Sequence, residues 1–257
     1  MKKTIGILGG MGPEATGFFF EAIVRWTLAA SDQDHARILI WNDPKIPPRT
    51  EAILDGAGSP WPALLAGLRV LEHGGAGLIA MPCITAHFWA PQIKAKARVP
   101  FIDLIDETGR EAGREIPGLK TAGLIATTGT IRSSLFHRAF TRRGVDLLVP
   151  GEDDQNRIMD AVYGTDGIKA GIQTGRPRAA IVRIARRLVE RGAQAIIAGC
   201  TENPLVLRAA DLDVPLLDPM IIGAAVCLKK AGYRRRQGTS LHGGSESPGK
   251  ARGPGRR

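Results

Sequence analysis

Two widely separated stretches of this chain follow one plan, and that repetition limits its possible folds more than any other feature. Residues 77–81 are an apolar run that ends in Pro82-Cys83-Ile84-Thr85, and residues 195–199 run in the same way into Cys200-Thr201-Glu202. Each reads as a buried strand followed by a cysteine and a hydroxyl. In open parallel sheets, ligands bind just beyond the carboxyl ends of the strands. Other landmarks recur in the same order. A strand over residues 4–8 entering a glycine turn at 9–16 is answered by residues 121–126 entering Thr127-Thr128-Gly129-Thr130, and a second strand over 37–41 is answered by 145–150. Gly9 and Thr127, Cys83 and Cys200, and Asp103 and Asp218 are separated by 118, 117 and 115 residues. The expected fold is therefore α/β: a duplicated four-stranded parallel unit, with one cysteine on each wall of the cleft between the two copies. Residues 1–103, completed by about 205–232, form the first expected domain, and 104–204 the second.

The chain's 257 residues and 44% hydrophobic content suffice for such cores without staples. Three cysteines, an odd number, argue against a disulfide framework and, with no leader read at the start, for a cytoplasmic location. No apolar segment approaches the roughly 20 residues that span a bilayer, so a membrane is not an expected partner. The net charge of +10 invites a nucleic-acid reading, but its placement argues against one. Nine basic side chains against Glu246 lie from Lys229 onward, which leaves the body at about +2 with no basic stripe interleaved with aromatics. Residues 233–257 read as a basic tail, too rich in Gly, Ser and Pro over most of its length to bury a core.

The turn Gly9-Gly10-Met11-Gly12-Pro13-Glu14-Ala15-Thr16 opens a helix, with Pro13 in the first turn and Glu14 complementing the helix terminus. It fits a loose G-x-G-x-x-A fingerprint. The acidic residue a nicotinamide site needs about 20 positions on is missing, since residues 18–30 read as helix. No Gly-Lys-Ser/Thr makes a phosphate loop. Asn42-Asp43-Pro44-Lys45-Ile46-Pro47-Pro48-Arg49-Thr50 is expected to be a stiff loop that delivers Lys45 and Arg49 to the edge of the sheet where Cys83 stands, with Arg49 suited to a carboxylate. Helices are expected over 62–73, 88–98 and 221–228, the last burying Cys227 as packing.

Facing thiols admit several chemistries. A zinc site usually has close-spaced ligand pairs, and none exists here, although His87 could join Cys83 and Cys200. Redox motifs bring their cysteines close in sequence. A hydrolase would use one thiol and leave the other idle. Stereoinversion by two bases uses both: one thiolate removes an α-proton and the opposite thiol returns one. Such a base needs a lowered pKa, which helix starts expected from Thr85 and Pro204 would supply.

The glycine turn, the proline-rich loop, Met81-Pro82-Cys83, Ile168-Lys169-Ala170-Gly171 and Gly199-Cys200-Thr201-Glu202 together resemble the aspartate/glutamate racemase family, closest to its aspartate branch. The resemblance covers residues 4–230. It implies an isomerase of D-amino acid metabolism that uses no pyridoxal phosphate, metal or other cofactor, takes a small amino-acid substrate (aspartate, or glutamate) and forms a homodimer. By the same resemblance Cys83 and Cys200 are the catalytic pair, and Arg49 and Lys169 hold the side-chain carboxylate. Met11, Gly12, Thr85, Thr127, Thr130 and Thr201 bind the ammonium and α-carboxylate. Glu202 stands where glutamate racemases carry histidine. Ile84 departs from the family, which has asparagine there. Losing such a contact costs about 1–3 kcal/mol. That departure keeps open a related isomerase or hydantoin racemase, or a binding protein that has lost catalysis.

Overall fold

The computed structural model describes residues 2–56 and 58–236, so most of the expected basic tail lies outside the described residues. Strand β1 (Ile5–Gly9) leads into helix α1 (Pro13–Trp26), followed by β2 (Ile38–Asn42), α2 (Arg49–Leu54), α3 (Trp61–His73), β3 (Leu78–Ala80), α4 (Ala90–Lys96) and β4 (Phe101–Ile102). After α5 (Leu104–Glu115) the pattern restarts with β5 (Thr121–Ile125), α6 (Thr128–Arg132), α7 (Leu135–Thr141), β6 (Asp146–Leu148), α8 (Glu152–Tyr163), α9 (Gly175–Glu190), β7 (Ile196–Ala198), β8 (Leu216–Leu217) and α10 (Pro219–Lys230). Among the described residues the strands form two four-stranded sheets, ordered β2-β1-β3-β4 and β6-β5-β7-β8, and every ladder is parallel. The duplicated α/β unit read from the sequence is the fold.

The two identical strand orders set the site. In each sheet the order reverses at the first strand, between β1 and β3 or between β5 and β7, and such a reversal opens a crevice at the carboxyl ends. The glycine turn and Cys83 leave β1 and β3 at one crevice. Thr127 and Cys200 leave β5 and β7 at the other.

The apolar packing explains why the copies stay together. Ile5, Ile7, Leu78 and Ala80 of the first sheet and Ala122, Leu124 and Ile197 of the second belong to a single buried cluster with Phe19, Leu104, Phe136, Phe140 and Ile222. Each fully buried phenylalanine of α7 is worth about 1.5–3 kcal/mol relative to exposure. The outer faces carry separate clusters. Cys83 packs with Leu64, Leu68 and Met81, and Cys200 with Ile158, Ile181 and Leu207. Helices α5 and α10 begin alike, with Asp103 and Asp218 as N-caps that accept bonds from the second and third backbone N–H groups beyond them.

Several elements differ from expectation. The first helix starts at Pro13, as its turn implies, but ends at Trp26 short of the expected residue 30, because Thr27 has an extended backbone. The prolines make only residues 43–48 irregular. Arg49 opens α2, since Pro48 fixes an entry angle compatible with the first helical residue. The segment expected as a helix over 88–98 splits into a 3-10 turn, Thr85–Trp89, and α4. Beyond Cys200 stands only a short 3-10 turn, Asn203–Leu205.

Candidate active site

The glycine turn is held by a close backbone crossing. Gly10 has φ +97°, and a Cβ there would lie 2.3 Å from the backbone carbon of Asp43, so no other residue fits without moving the chain. The Gly10 N–H donates to Thr16 Oγ1 at 2.9 Å, and that hydroxyl donates to the Gly12 carbonyl, also at 2.9 Å. Met11 and Gly12 are thereby fixed at the mouth of the first crevice.

The two crevices face each other. Met11, Arg49, Cys83, Ile84, Thr85, Thr127, Lys169, Cys200, Thr201 and Glu202 line one inner cleft together with Tyr163. Ten of the twelve residues singled out in the sequence therefore meet. Gly12 lies in the adjoining outer cavity of about 570 Å³, with Lys45, Arg49, Tyr163, Lys169 and Glu202. Thr130 is absent from the wall. It stands behind Thr85 and Thr127, and the three hydroxyls form a triangle of 3.0, 3.0 and 3.1 Å that joins the two halves. Three hydroxyl protons fill three edges, so a substrate carboxylate must open the triangle to receive one.

Both cysteines are buried, at 4% and 5% exposure, and both are free thiols. The Cys200 Sγ–H donates to Glu202 Oε2 at 3.0 Å, and the Thr201 hydroxyl donates to the same oxygen at 3.1 Å. Burial, and then the Glu202 carboxylate, push the Cys200 thiol well above its ordinary value. This corrects the expectation of a thiol lowered by a helix start, for the 3-10 turn beyond Cys200 has no macrodipole to offer and the neighbouring charge is negative. Glu202 Oε1 is paired with Lys169 Nζ. Burial is the largest influence on the Lys169 ammonium and would lower it, yet Glu202, together with Cys200 and Cys83, offsets it and the net direction is up.

Arg49 is tied to its own neighbourhood. Its guanidinium donates to the Ile46, Pro47 and Met11 carbonyls at 3.0, 2.8 and 3.3 Å, which fixes the side chain at the boundary of inner and outer cavities. Ile84 is 2% exposed and belongs to the shared apolar cluster while also reaching the cleft wall. Its apolar side chain buries no polar group at the wall.

Tyr163 escaped the sequence reading. It ends α8, and its ring lies 5.6 Å from Lys169 Nζ over the entrance. The residue is 47% exposed, but loss of water around its hydroxyl, and then the nearby Cys200, Glu202 and Cys83, raise that group above its ordinary value, so it stays a neutral donor. The only local hint was an aromatic beside Gly164 in the segment that follows the second strand of its unit, where the first unit carries its proline loop.

His87 takes no part in the cleft wall. Nδ1 lies 2.9 Å from the Cys83 carbonyl, and Nε2 accepts the Leu104 N–H at 3.1 Å, so the proton belongs on Nδ1. Burial lowers its pKa and keeps the ring neutral. His87 thus pins the cysteine turn to the start of α5. With both nitrogens engaged it offers no metal ligand, and no group of three or more metal-ligating side chains occurs among the described residues. Replacing His87 with Ala leaves a buried carbonyl and a buried N–H unpaired, and a loss of about 2 kcal/mol is expected in urea unfolding.

The chain is similar to known proteins over most of its length. Residues 8–227 match the Asp/Glu/hydantoin racemase family model. The structure of Picrophilus torridus aspartate racemase superposes with a TM-score of 0.80 at 30% identity, covering 91% of this chain and 96% of that one. The broad specificity amino-acid racemase RacX of Bacillus subtilis is 25% identical over 88% of this chain and 95% of its own length. Glutamate racemase of Francisella tularensis shares the fold, with a TM-score of 0.64 at 17% identity over 93% of this chain and 85% of that one. A family match that runs from the first strand into the last described helix includes both cysteines and every residue of the cleft, and the chain belongs to the Asp/Glu/hydantoin racemase family.

Proposed function

We propose that the protein is a cofactor-independent amino-acid racemase acting on aspartate, with Cys83 and Cys200 as the paired base and acid. The observation that carries this is the meeting of the two cysteines, delivered from matching strand ends, across one buried cleft. A substrate held between them presents one face of Cα to each sulfur. The thiolate on one side takes the α-proton, the carbanion is held planar by delocalisation into the carboxylate, and the thiol on the other side returns a proton to the opposite face. Each turnover exchanges the roles of the sulfurs, and a duplicated fold suits a reaction that runs equally in both directions. Thr85, Thr127, Thr201 and the Met11–Gly12 backbone serve the α-carboxylate and ammonium in this reading. Lys169 and the neighbouring Arg49 favour an acidic side chain. The 30% identical structure described as an aspartate racemase supports the same choice.

Ile84 favours a second reading, a broader range of amino acids, since it removes a polar contact from the wall. The name of the Bacillus subtilis relative is in keeping with that. The test is proton NMR in deuterated water with no added cofactor, following the α-proton of L-aspartate and then D-aspartate. Loss of signal from both enantiomers, with racemic product, is the expected result. Activity on neutral amino acids but not aspartate would favour the broader reading, and no exchange with any amino acid or hydantoin would leave a binding protein.

A further inference from the structure

Glu202 makes three polar contacts with other side chains of the cleft, and the two-base scheme gives it no task. It is 4% exposed, and its two oxygens engage Lys169, the Cys200 thiol and the Thr201 hydroxyl. A Cβ on Gly12 would lie 3.3 Å from Glu202 Oε1 and 3.4 Å from Lys169 Nζ, which places the ion pair against the glycine turn. The pair lines both the inner cleft and the outer cavity. With Glu202 in place the inner cleft has room for only about 10 Å³, the space of one water. An amino acid does not fit beside it.

We propose that Glu202 is an internal occupant of the substrate's carboxylate position: between turnovers its carboxylate binds Lys169 and the Cys200 thiol, and aspartate enters by displacing it. The inference rests on the racemase reading. Its physical reason is that a part-buried ammonium without a partner is costly, so an empty site needs a counter-ion of its own. Glu202 supplies one in the shape of a substrate side chain. It also holds Cys200 as a thiol, in keeping with the raised pKa, so the resting pair would start with Cys200 as the acid.

The test is binding of racemic aspartate by calorimetry to the full chain and to Glu202→Gln, Lys169→Gln and the double variant, each checked for folding by circular dichroism. If the two carboxylates compete for Lys169, Glu202→Gln tightens aspartate binding about fivefold or more, and the gain disappears in the Lys169→Gln background. Unchanged or weaker binding in Glu202→Gln overturns the proposal, as does a gain that persists without Lys169, or aspartate binding to neither parent nor variant. Alkylation by iodoacetamide, read peptide by peptide, gives a second measure. Cys200 should react about tenfold faster in Glu202→Gln at the same pH, because more of it is thiolate, while Cys83 changes little. An unchanged Cys200 rate counts against the proposal. Neither measurement requires turnover, so α-proton exchange tests the racemase reading separately.

Discussion

Cys83→Ala and Cys200→Ala are each expected to lower aspartate racemisation by about 10²–10⁴-fold, the range of a positioned proton-transfer group. Both thiols are needed because inversion requires removal of a proton from one face of Cα and delivery to the other, and each face meets one sulfur. The fold should survive. The side chains are small, they sit in apolar outer clusters that already contain alanines, and Cys→Ala removes one heavy atom from each. Folding is checked by circular dichroism and thermal unfolding, activity by optical rotation or chiral chromatography. The single variants also separate the faces. Cys200→Ala retains a base opposite one enantiomer and Cys83→Ala a base opposite the other, so residual α-deuteration without inversion should favour opposite enantiomers in the two proteins. A variant lacking either thiol that racemises at the parental rate would overturn the two-base reading.

The sequence carried the framework of this site because its signals are local. An apolar run such as Ile196–Ala198 needs no partner to be recognised as a buried strand, and the residue that follows it must lie at the sheet edge. The near-equal spacing of the cysteines then placed Cys83 and Cys200 on opposite walls. Gly10 was legible as part of a turn, though the approach of Asp43 that makes a glycine obligatory was not, since 33 residues separate the two. Pairings across the fold were equally hidden. Glu202 and Lys169 are also 33 residues apart, and only folding shows that the carboxylate reaches both the ammonium and the Cys200 sulfur. That pairing reversed the expected direction of the thiol's shift: a helix start was read where the chain forms a 3-10 turn, and burial beside a carboxylate decided the outcome. Thr130 illustrates the remaining ambiguity. A threonine near a strand end reads alike whether it faces a ligand or backs the hydroxyls that do.

Asp218→Asn is expected to remove a pH-dependent loss of stability on the order of 3 kcal/mol between pH 5 and pH 8. Asp103 and Asp218 cap α5 and α10 in the same way, but their surroundings differ. At Asp103, burial is more than offset by neighbours that include the Lys94 ammonium at 2.7 Å and the Asp106 N–H, and the carboxyl lies below its ordinary value. Asp218 is 1% exposed, and only its Oδ1 is satisfied, by the Met220 and Ile221 N–H groups at 2.8 and 3.4 Å. Its Oδ2 is buried without a partner. Burial therefore dominates the two backbone bonds and pushes the carboxyl up to about 7. A folded pKa above the unfolded one means that the native state binds the proton more tightly. The stabilisation is complete below the ordinary carboxylate range near 3.8 and is lost as pH rises through about 7. His87 and His137, lowered by burial, act in the opposite sense below pH 6.5, so the comparison is parent against variant at each pH. Asparagine keeps the cap oxygen and carries no charge. Its advantage over the parent, measured by urea unfolding, should grow from pH 5 to pH 8, and parallel curves for the two proteins would show that the buried carboxyl does not titrate in this window.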